Sequence, residues 1–263
     1  LLGVGLNQYL GKSVMTDWGW RIPFIVGCLI VPFLFYIRRM LEETEAFNQR
    51  KHRPSMSEIT RSVASNWQLV LVGMFMVVTT TVSFYLITAF TPTYGKTVLQ
   101  FTAQQSFLVT LLVGISNLFW LPVMGSLSDK VGRRPLLLLF SVLMLLTSYP
   151  SLNWLVAHPS FAHLIEVELW LSFMYASYNG AMVVCLTEIM PAEVRASGFS
   201  MAYSLATAIF GGFTPAISSY LIHATGDKAM PGMWLSAAAA CGLIAALALP
   251  AIQRLNSNRA GTV

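Results

Sequence analysis

Seven long runs of almost entirely apolar residues dominate the sequence. The hydrocarbon core of a bilayer, about 30 Å thick, is crossed by about 20 helical residues. The runs are continuously apolar rather than alternating, which favours helices over the strands of a membrane barrel. They cover residues 22–37, 67–90, 107–124, 136–156, 169–186, 201–222 and 232–249. The first run is short, and we expect Trp18 and Trp20 to anchor its end at the membrane interface. The chain is therefore predicted to be an all-α membrane protein.

The composition supports a membrane setting. Of the 263 residues, 56% are hydrophobic and only 10% are charged, whereas a soluble domain carries about 25% charged residues. Cys28, Cys185 and Cys241 each lie in an apolar run without a second Cys or His at ligand spacing. Neither a disulfide framework nor a metal site is predicted.

Lys and Arg are distributed unequally between the two sides of the predicted spans. Twelve lie on the side of residues 38–66 and the C-terminus, and four lie on the other side. The positive-inside rule places the richer side in the cytoplasm. Topology therefore explains the net charge of +5. No basic stripe with interleaved aromatic residues points to a nucleic-acid partner.

The longest polar segment, residues 38–66, divides the chain. It is predicted to be a cytoplasmic central loop, with a helix-compatible run at 41–50. Residues 1–37 would then be the end of one membrane bundle, residues 67–250 a six-helix bundle and residues 251–263 a cytoplasmic tail. Because the sequence starts at Leu1 and residues 1–10 are already apolar, we expect an earlier part of the protein to be absent.

Polar side chains are concentrated in four of the later spans. Three of these spans carry them at helical spacing, and the fourth carries a lone Asn117. The spaced residues are Thr81, Tyr85 and Thr88; Tyr175, Tyr178, Asn179 and Met182; and Tyr203, Thr207 and Thr214. Such groups either bond membrane helices together or line a wet cavity, and the spacing alone leaves both interpretations open.

Charged residues are missing from the centres of all seven runs. A charge there costs about 2.5–3.5 kcal/mol, so a proton-carrying acid or an anion-binding Arg is expected elsewhere. Four titratable residues cluster near the predicted outer ends of two spans: His158, His163, Glu166 and Glu168. Their spacing lacks a third metal ligand, and a wet interface is the expected setting.

The most specific stretch is the turn at residues 125–134, Gly-Ser-Leu-Ser-Asp-Lys-Val-Gly-Arg-Arg. Gly125 and Gly132 permit a tight reversal between two helices, and an acid followed by bases can bridge neighbouring helix ends. The stretch fits the pattern GxxxD(R/K)xGR(R/K). It resembles the signature of the major facilitator superfamily, in the turn between the second and third helices of a six-helix half.

Further stretches resemble one branch of that superfamily. Residues 18–24 and 42–47 are similar to the sixth helix and central loop of the metabolite:proton symporters, whereas sugar porters carry Pro-Glu-Ser-Pro-Arg there. Residues 188–198 resemble the turn between helices ten and eleven. Residues 179–182 and 206–217 resemble helices ten and eleven of the citrate and tricarballylate symporters.

The resemblance implies a major facilitator fold, of which this chain would supply the end of helix five, helix six and the C-terminal six-helix bundle. The seventh, eighth, tenth and eleventh helices would line a central cavity between two bundles. The implied activity is proton-coupled symport of citrate or tricarballylate across the bacterial inner membrane by alternating access. Protons would be the coupling ion, with no other cofactor and no enzymatic chemistry.

The resemblance also implies roles for particular residues. The cavity candidates, which would donate hydrogen bonds to an organic anion, are Tyr85, Thr88, Asn117, Tyr178, Asn179 and Thr207. The candidates for a cytoplasmic gate are Asp129, Arg133, Glu188 and Arg195. Arg133 would pair with Glu188, and Asp129 would lie near the N-terminus of the helix opening at 197–199. The absent N-terminal bundle would supply the cationic partners of the anion and the proton-linked acid.

Other functions are compatible with parts of the pattern. The nearest alternative is a proton symporter for another small metabolite, such as a dicarboxylate or a betaine-like zwitterion. A seven-helix receptor fits the number of spans but leaves the 125–134 turn without a role. A membrane-embedded hydrolase would need a buried His with Asp, Glu or Ser, and the runs contain no such set.

Overall fold

Helices account for nearly all of the computed structural model. It describes residues 2–40, 64–191 and 195–260, and no strand occurs within those ranges. The predicted helical run at 41–50 and Glu193 of the 188–198 turn lie outside the described residues. The chain divides into two compact units, Leu1–Met56 and Ser57–Val263.

The described part of the first unit contains helices α1 (Leu2–Asp17), α2 (Ile22–Cys28) and α3 (Ile30–Met40), with a 3-10 turn at Gly19–Arg21. Pro23 lies in the first turn of α2, where its missing N–H removes no helical hydrogen bond. The Arg21 guanidinium stacks over the Trp20 ring, 4.4 Å from its centroid. Gly19–Met40 is long and apolar enough to cross a membrane, which confirms the first predicted span.

The second unit is a helical bundle. Its first membrane-length helix consists of α4 (Trp67–Tyr85), a π-helical segment (Leu86–Phe90) and α5 (Thr91–Thr97). Three uninterrupted helices follow, α6 (Ala103–Val131), α7 (Arg133–Ala157) and α8 (Phe161–Ile189). Next come α9 (Arg195–Ala206), a second π-helical segment (Thr207–Gly211) and α10 (Thr214–Thr225), and α11 (Met230–Ala260) ends the described chain.

All six predicted spans of this unit are confirmed as helices of membrane-crossing length and composition. The helices extend beyond the apolar runs. Two of them begin directly after polar residues that cap their N-termini. Thr102 and Gln105 form a reciprocal capping box at the start of α6, and the Ser160 hydroxyl accepts from the His163 N–H at the start of α8, 3.1 Å away. At the other end of the bundle α11 continues through Pro250 to Ala260, so the segment predicted as a tail at 251–263 begins inside this helix.

Small residues allow the helices of the bundle to approach closely. A Cβ atom on Gly232 of α11 would lie 2.8 Å from the Tyr149 Cα of α7. Farther along α11, the Ser236 hydroxyl donates to the Leu145 carbonyl at 3.0 Å, and the Thr79 hydroxyl of α4 donates to the Ala238 carbonyl at 2.7 Å. Close backbone approach and interhelical hydrogen bonds replace the hydrophobic driving force that is absent in lipid. They fix α4, α7 and α11 relative to one another.

Candidate functional site

Two of the membrane-length helices change their hydrogen-bond pattern near the middle. In the first, the Thr91 N–H donates to the Leu86 carbonyl. In the second, the Gly212 N–H donates to the Thr207 carbonyl at 2.8 Å. These i→i+5 bonds define π segments, and each is followed by a Thr-Pro pair, Thr91-Pro92 and Thr214-Pro215. A proline has no N–H for the regular ladder, and π segments are frequent at functional sites because they redirect side chains.

The second π segment packs directly against α4. The Thr81 hydroxyl donates to the Thr207 hydroxyl at 3.3 Å. A Cβ atom on Gly211 would collide with the Thr81 hydroxyl and would lie 3.0 Å from the Tyr85 ring. The absence of a side chain at Gly211 therefore lets the second π segment approach Thr81 and Tyr85 of α4.

Tyr175 and Asn179 of α8 lie near this contact. The Phe84 ring contacts both Tyr85 and Tyr175, with centroid distances of 5.7 and 5.9 Å. The Asn179 side-chain N–H donates to the Tyr175 hydroxyl at 3.4 Å. Tyr203 of α9 interacts electrostatically with both Tyr85 and Tyr175. We name this group the tyrosine cluster, and its members are Thr81, Tyr85, Tyr175, Asn179, Tyr203 and Thr207.

The tyrosine cluster combines half-buried side chains with an unsatisfied acceptor. Tyr85, Asn179, Tyr203 and Thr207 are all half-buried. The Asn179 carbonyl oxygen is buried and makes no hydrogen bond. Every member is uncharged, so the cluster can exchange neutral hydrogen bonds with a polar molecule. It is the best candidate for a substrate surface among the described residues.

Three of the predicted cavity residues make other hydrogen bonds, and a cavity role for Thr88 stays a prediction. Tyr178 is completely buried, and its hydroxyl donates to the Met76 carbonyl at 3.2 Å, so its placement differs from the prediction. Asn117 is also buried, and its carbonyl oxygen accepts from the Ser172 hydroxyl at 2.9 Å. The Thr88 hydroxyl donates within its own helix to the Phe84 carbonyl. Of the predicted cavity residues, the cluster therefore contains Tyr85, Asn179 and Thr207.

Thr81, Tyr175 and Tyr203 belong to the cluster although the sequence does not single them out as candidates. All three are on the polar faces recognised by helical spacing. That spacing shows a shared face but not which residues on it meet the residues of a neighbouring helix.

The 125–134 turn brings charged residues together at one end of the bundle. Gly132 has a φ of +98°, a conformation that a residue with a Cβ rarely adopts. One Arg133 guanidinium nitrogen lies 2.6 Å from Asp129 and another lies 3.2 Å from Glu188 of α8. The guanidinium of Arg134 donates to the Ala246 carbonyl of α11 at 3.2 Å. The turn therefore connects α6 and α7 to α8 and α11.

Two further features are predicted for this end: a role of Arg195 and the position of Asp129 near a helix N-terminus. The Arg195 guanidinium donates to the Met190 carbonyl at 3.3 Å. The proximity of Asp129 to the N-terminus of the helix that holds residues 197–199 stays a prediction.

The opposite end of the bundle contains a second polar group. The Tyr94 hydroxyl donates to the Lys228 carbonyl at 2.8 Å, and the Tyr149 hydroxyl donates to Asp227 at the same distance. Glu168 is only 3% exposed, so the expectation of a wet interface is wrong for this residue. Because α8 begins at Phe161, Glu168 lies within the helix instead of preceding it.

The histidines near Glu168 in the sequence contact other groups. The His163 ring lies 4.2 Å from the Trp154 ring, and its Nδ1 lies 2.6 Å from the His158 carbonyl oxygen. In the part of the chain that the structure describes, no group of three or more His, Cys, Asp or Glu residues could hold a metal ion.

Known proteins match this chain along most of its length. The chain is 58% identical to a citrate-proton symporter of Klebsiella pneumoniae over 244 residues, which are 93% of the chain and 55% of that relative. It is 54% identical to a citrate-proton symporter of Salmonella typhi over 245 residues, with 93% and 56% covered. A proline/betaine transporter of Escherichia coli (strain K12) is 29% identical over 262 residues, with 93% and 51% covered.

The chain thus spans about half the length of the curated relatives that it matches. No solved structure matches it. Residues 1–215 match the family described as the Major Facilitator Superfamily. That match, the seven membrane-length helices found in the described residues and the charged 125–134 turn agree, and the chain belongs to the major facilitator superfamily.

Proposed function

We propose that this chain forms the C-terminal bundle of a proton-coupled citrate symporter and acts together with an N-terminal bundle of the same protein. The observation that carries the proposal is the difference in identity between two groups of relatives. Citrate-proton symporters are 58% and 54% identical to the chain, whereas proline/betaine transporters are 28–29% identical. A seven-helix receptor and a membrane-embedded hydrolase have no comparable support.

The tyrosine cluster is the proposed substrate surface of this bundle. Its hydroxyls and the Asn179 amide would donate hydrogen bonds to the carboxylate oxygens of citrate. Citrate carries several negative charges, and the cluster carries no positive charge to balance them. Cationic partners for the anion would therefore come from the N-terminal bundle, across a central cavity between the two bundles.

The ion pairs of Arg133 are the proposed closing contact at the cytoplasmic side. Alternating access requires contacts that form when one side of the cavity is closed and break when it opens. The Arg133 side chain is 20% exposed, and those of Asp129 and Glu188 are 64% and 55% exposed. Such partly hydrated pairs contribute little free energy, so they can break without a large barrier.

The proposed location is the bacterial inner membrane, with the C-terminus in the cytoplasm. The excess of Lys and Arg on the side of the 125–134 turn supports this orientation. The test is a pair of C-terminal fusions of the full-length protein, one to alkaline phosphatase and one to a fluorescent protein that matures only in the cytoplasm. Fluorescence without phosphatase activity is expected, and the opposite result would reverse the orientation.

The transport proposal is tested with the full-length protein in proteoliposomes. Vesicles loaded with unlabelled citrate should take up labelled citrate by counterflow, and an inward proton gradient should drive accumulation. Tricarballylate, dicarboxylates and glycine betaine are the competitors that separate the candidate substrates. Competition by citrate and tricarballylate alone is expected. Exchange of betaine without exchange of citrate would instead support the second candidate, a zwitterion symporter, which the 28–29% identical relatives favour.

A further inference from the structure

Glu168 is a carboxyl group enclosed by the bundle, and no cationic side chain of the described residues forms an ion pair with it. It is 3% exposed. Its Oε1 lies 2.7 Å from the Thr91 hydroxyl oxygen, and its Oε2 makes no hydrogen bond. Within the described ranges, the ion pairs are those of Arg133 at the other end of the bundle. A carboxylate in this setting would be buried without a countercharge, which is so costly that buried acids are commonly neutralised by a proton instead.

The titratable groups around Glu168 come from α5, α7, α8 and the turn between α10 and α11. Tyr94 of α5 donates to the Lys228 carbonyl at 2.8 Å. Tyr149 of α7 donates at 2.8 Å to Asp227, which lies in the turn between α10 and α11. Glu166 of α8 is exposed on another side of the helix. The nearby acid Asp227 and the hydroxyl groups supply no positive charge that would favour an ionised Glu168, and Lys228, beside Asp227 in that turn, is exposed.

The hydrogen bonds of Thr91 also favour a protonated Glu168. The Thr91 hydroxyl oxygen lies 3.1 Å from the Leu86 carbonyl oxygen and 2.7 Å from Glu168 Oε1. A hydroxyl has one hydrogen, so it cannot donate to a carbonyl and a carboxylate at once. If Glu168 is a carboxylic acid, its O–H donates to Thr91 and the Thr91 hydroxyl donates to Leu86. Only the protonated form uses both short contacts.

A small cavity lies beside this group. Its volume is about 10 Å³, and its lining includes Glu168, Thr91 and Tyr94 together with Leu86, Leu152 and Pro231. That is room for about one water molecule, which could receive or deliver a proton. The walls come from the first π segment, α5, α7, α8 and α11, so relative movement of these helices would change the access of water to Glu168.

We propose that Glu168 is a proton-binding site of this bundle and takes part in coupling, an inference that rests on the proposed function. Glu168 holds its proton in the conformation described here, with the carboxylic acid donating to Thr91. When the helices around the cavity separate, the O–H bond breaks, the proton passes to water and the carboxylate is hydrated.

Glu168 and Glu188 are twenty residues apart on the unbroken helix α8, about 30 Å at 1.5 Å per residue. One rigid helix thus connects the proton site with the Arg133 contact at the other end.

The test uses Glu168→Gln in the full-length protein in proteoliposomes. Glutamine keeps the shape and neutral hydrogen bonding of the protonated acid but cannot release a proton. Counterflow of labelled citrate at equal pH should therefore continue. Accumulation driven by a proton gradient should fall to the level without a gradient, a loss of about tenfold per pH unit if one proton is coupled. Glu166→Gln, at an exposed position two residues away, is the matched control and should accumulate citrate like the unaltered protein.

A second measurement reads the proton directly. The infrared spectrum of the unaltered protein at neutral pH should contain a carbonyl stretch of a protonated carboxyl that Glu168→Gln lacks and Glu166→Gln retains. Accumulation by Glu168→Gln at the unaltered level, loss of its counterflow, or an unchanged infrared band would each overturn the proposal. If the unaltered protein exchanges no citrate, the proposed function fails instead, and the infrared band still reports on Glu168.

Discussion

A close contact between α6 and α8 predicts an asymmetry between two glycines that face each other. A Cβ atom on Gly180 of α8 would lie 2.9 Å from the Gly125 nitrogen and 3.2 Å from the Leu121 carbonyl oxygen of α6. Both are backbone atoms, so no side chain can rotate away. A Cβ atom on Gly125 would lie 3.9 Å from the Gly180 carbonyl oxygen, which is an ordinary contact. Only Gly180→Ala should force α6 and α8 apart.

The expected magnitude follows from the cost of overpacking. Inserting a methyl group where the backbone must move costs about 1–3 kcal/mol. At roughly 2–4 °C per kcal/mol for a domain of this size, Gly180→Ala should lower the midpoint of thermal unfolding by about 2–12 °C. The assay is thermal unfolding of the full-length protein in detergent, followed by the fraction that remains monodisperse.

Two matched variants serve as controls. Gly125→Ala should stay within about 2 °C of the unaltered protein, since its Cβ fits. Gly114→Ala lies in the same helix with no atom within 4 Å of its Cβ and should be neutral or slightly stabilising, because alanine is the better helix former. Equal midpoints for Gly180→Ala and Gly125→Ala would refute the packing argument.

Two further predictions concern the ends and the interior of the bundle. Arg133→Glu should slow citrate exchange because it places a third acid beside Asp129 and Glu188, and adding Glu188→Arg should restore part of the rate; no rescue would mean that the pair does not limit exchange. Tyr178→Phe removes a buried donor to the Met76 carbonyl, so the free energy of unfolding should fall by about 1 kcal/mol while the KM for citrate stays unchanged. Asn179→Ala, in the tyrosine cluster, should instead raise that KM, and a raised KM for Tyr178→Phe would contradict its assignment to the interior.

The position of Tyr178 shows where helical spacing stops being informative. Tyr175, Tyr178 and Asn179 share a face by spacing, yet Tyr175 and Asn179 are separated by about 40° around the helix and Tyr178 and Asn179 by about 100°. On a helix that packs against several neighbours, 100° is enough to move a side chain from the cluster into the interior. Tyr178 meets α11 there, because a Cβ atom on Gly242 would lie 2.7 Å from its hydroxyl oxygen. No single-helix pattern contains that information.

The sequence alone determined the membrane-spanning helices and the family. Spans follow from sequence because the transfer of a segment into lipid depends on the residues of that segment, and the 125–134 turn is recognisable because its glycines and charges act locally. Only the tertiary structure decided which polar groups are engaged, which are accessible and which titratable group is enclosed. Those properties depend on residues far away in the chain, as Thr91 and Glu168 show: they are 77 positions apart and share a hydrogen bond. Glu168 lies near the start of its helix, and it is buried because the helices of the bundle pack around it.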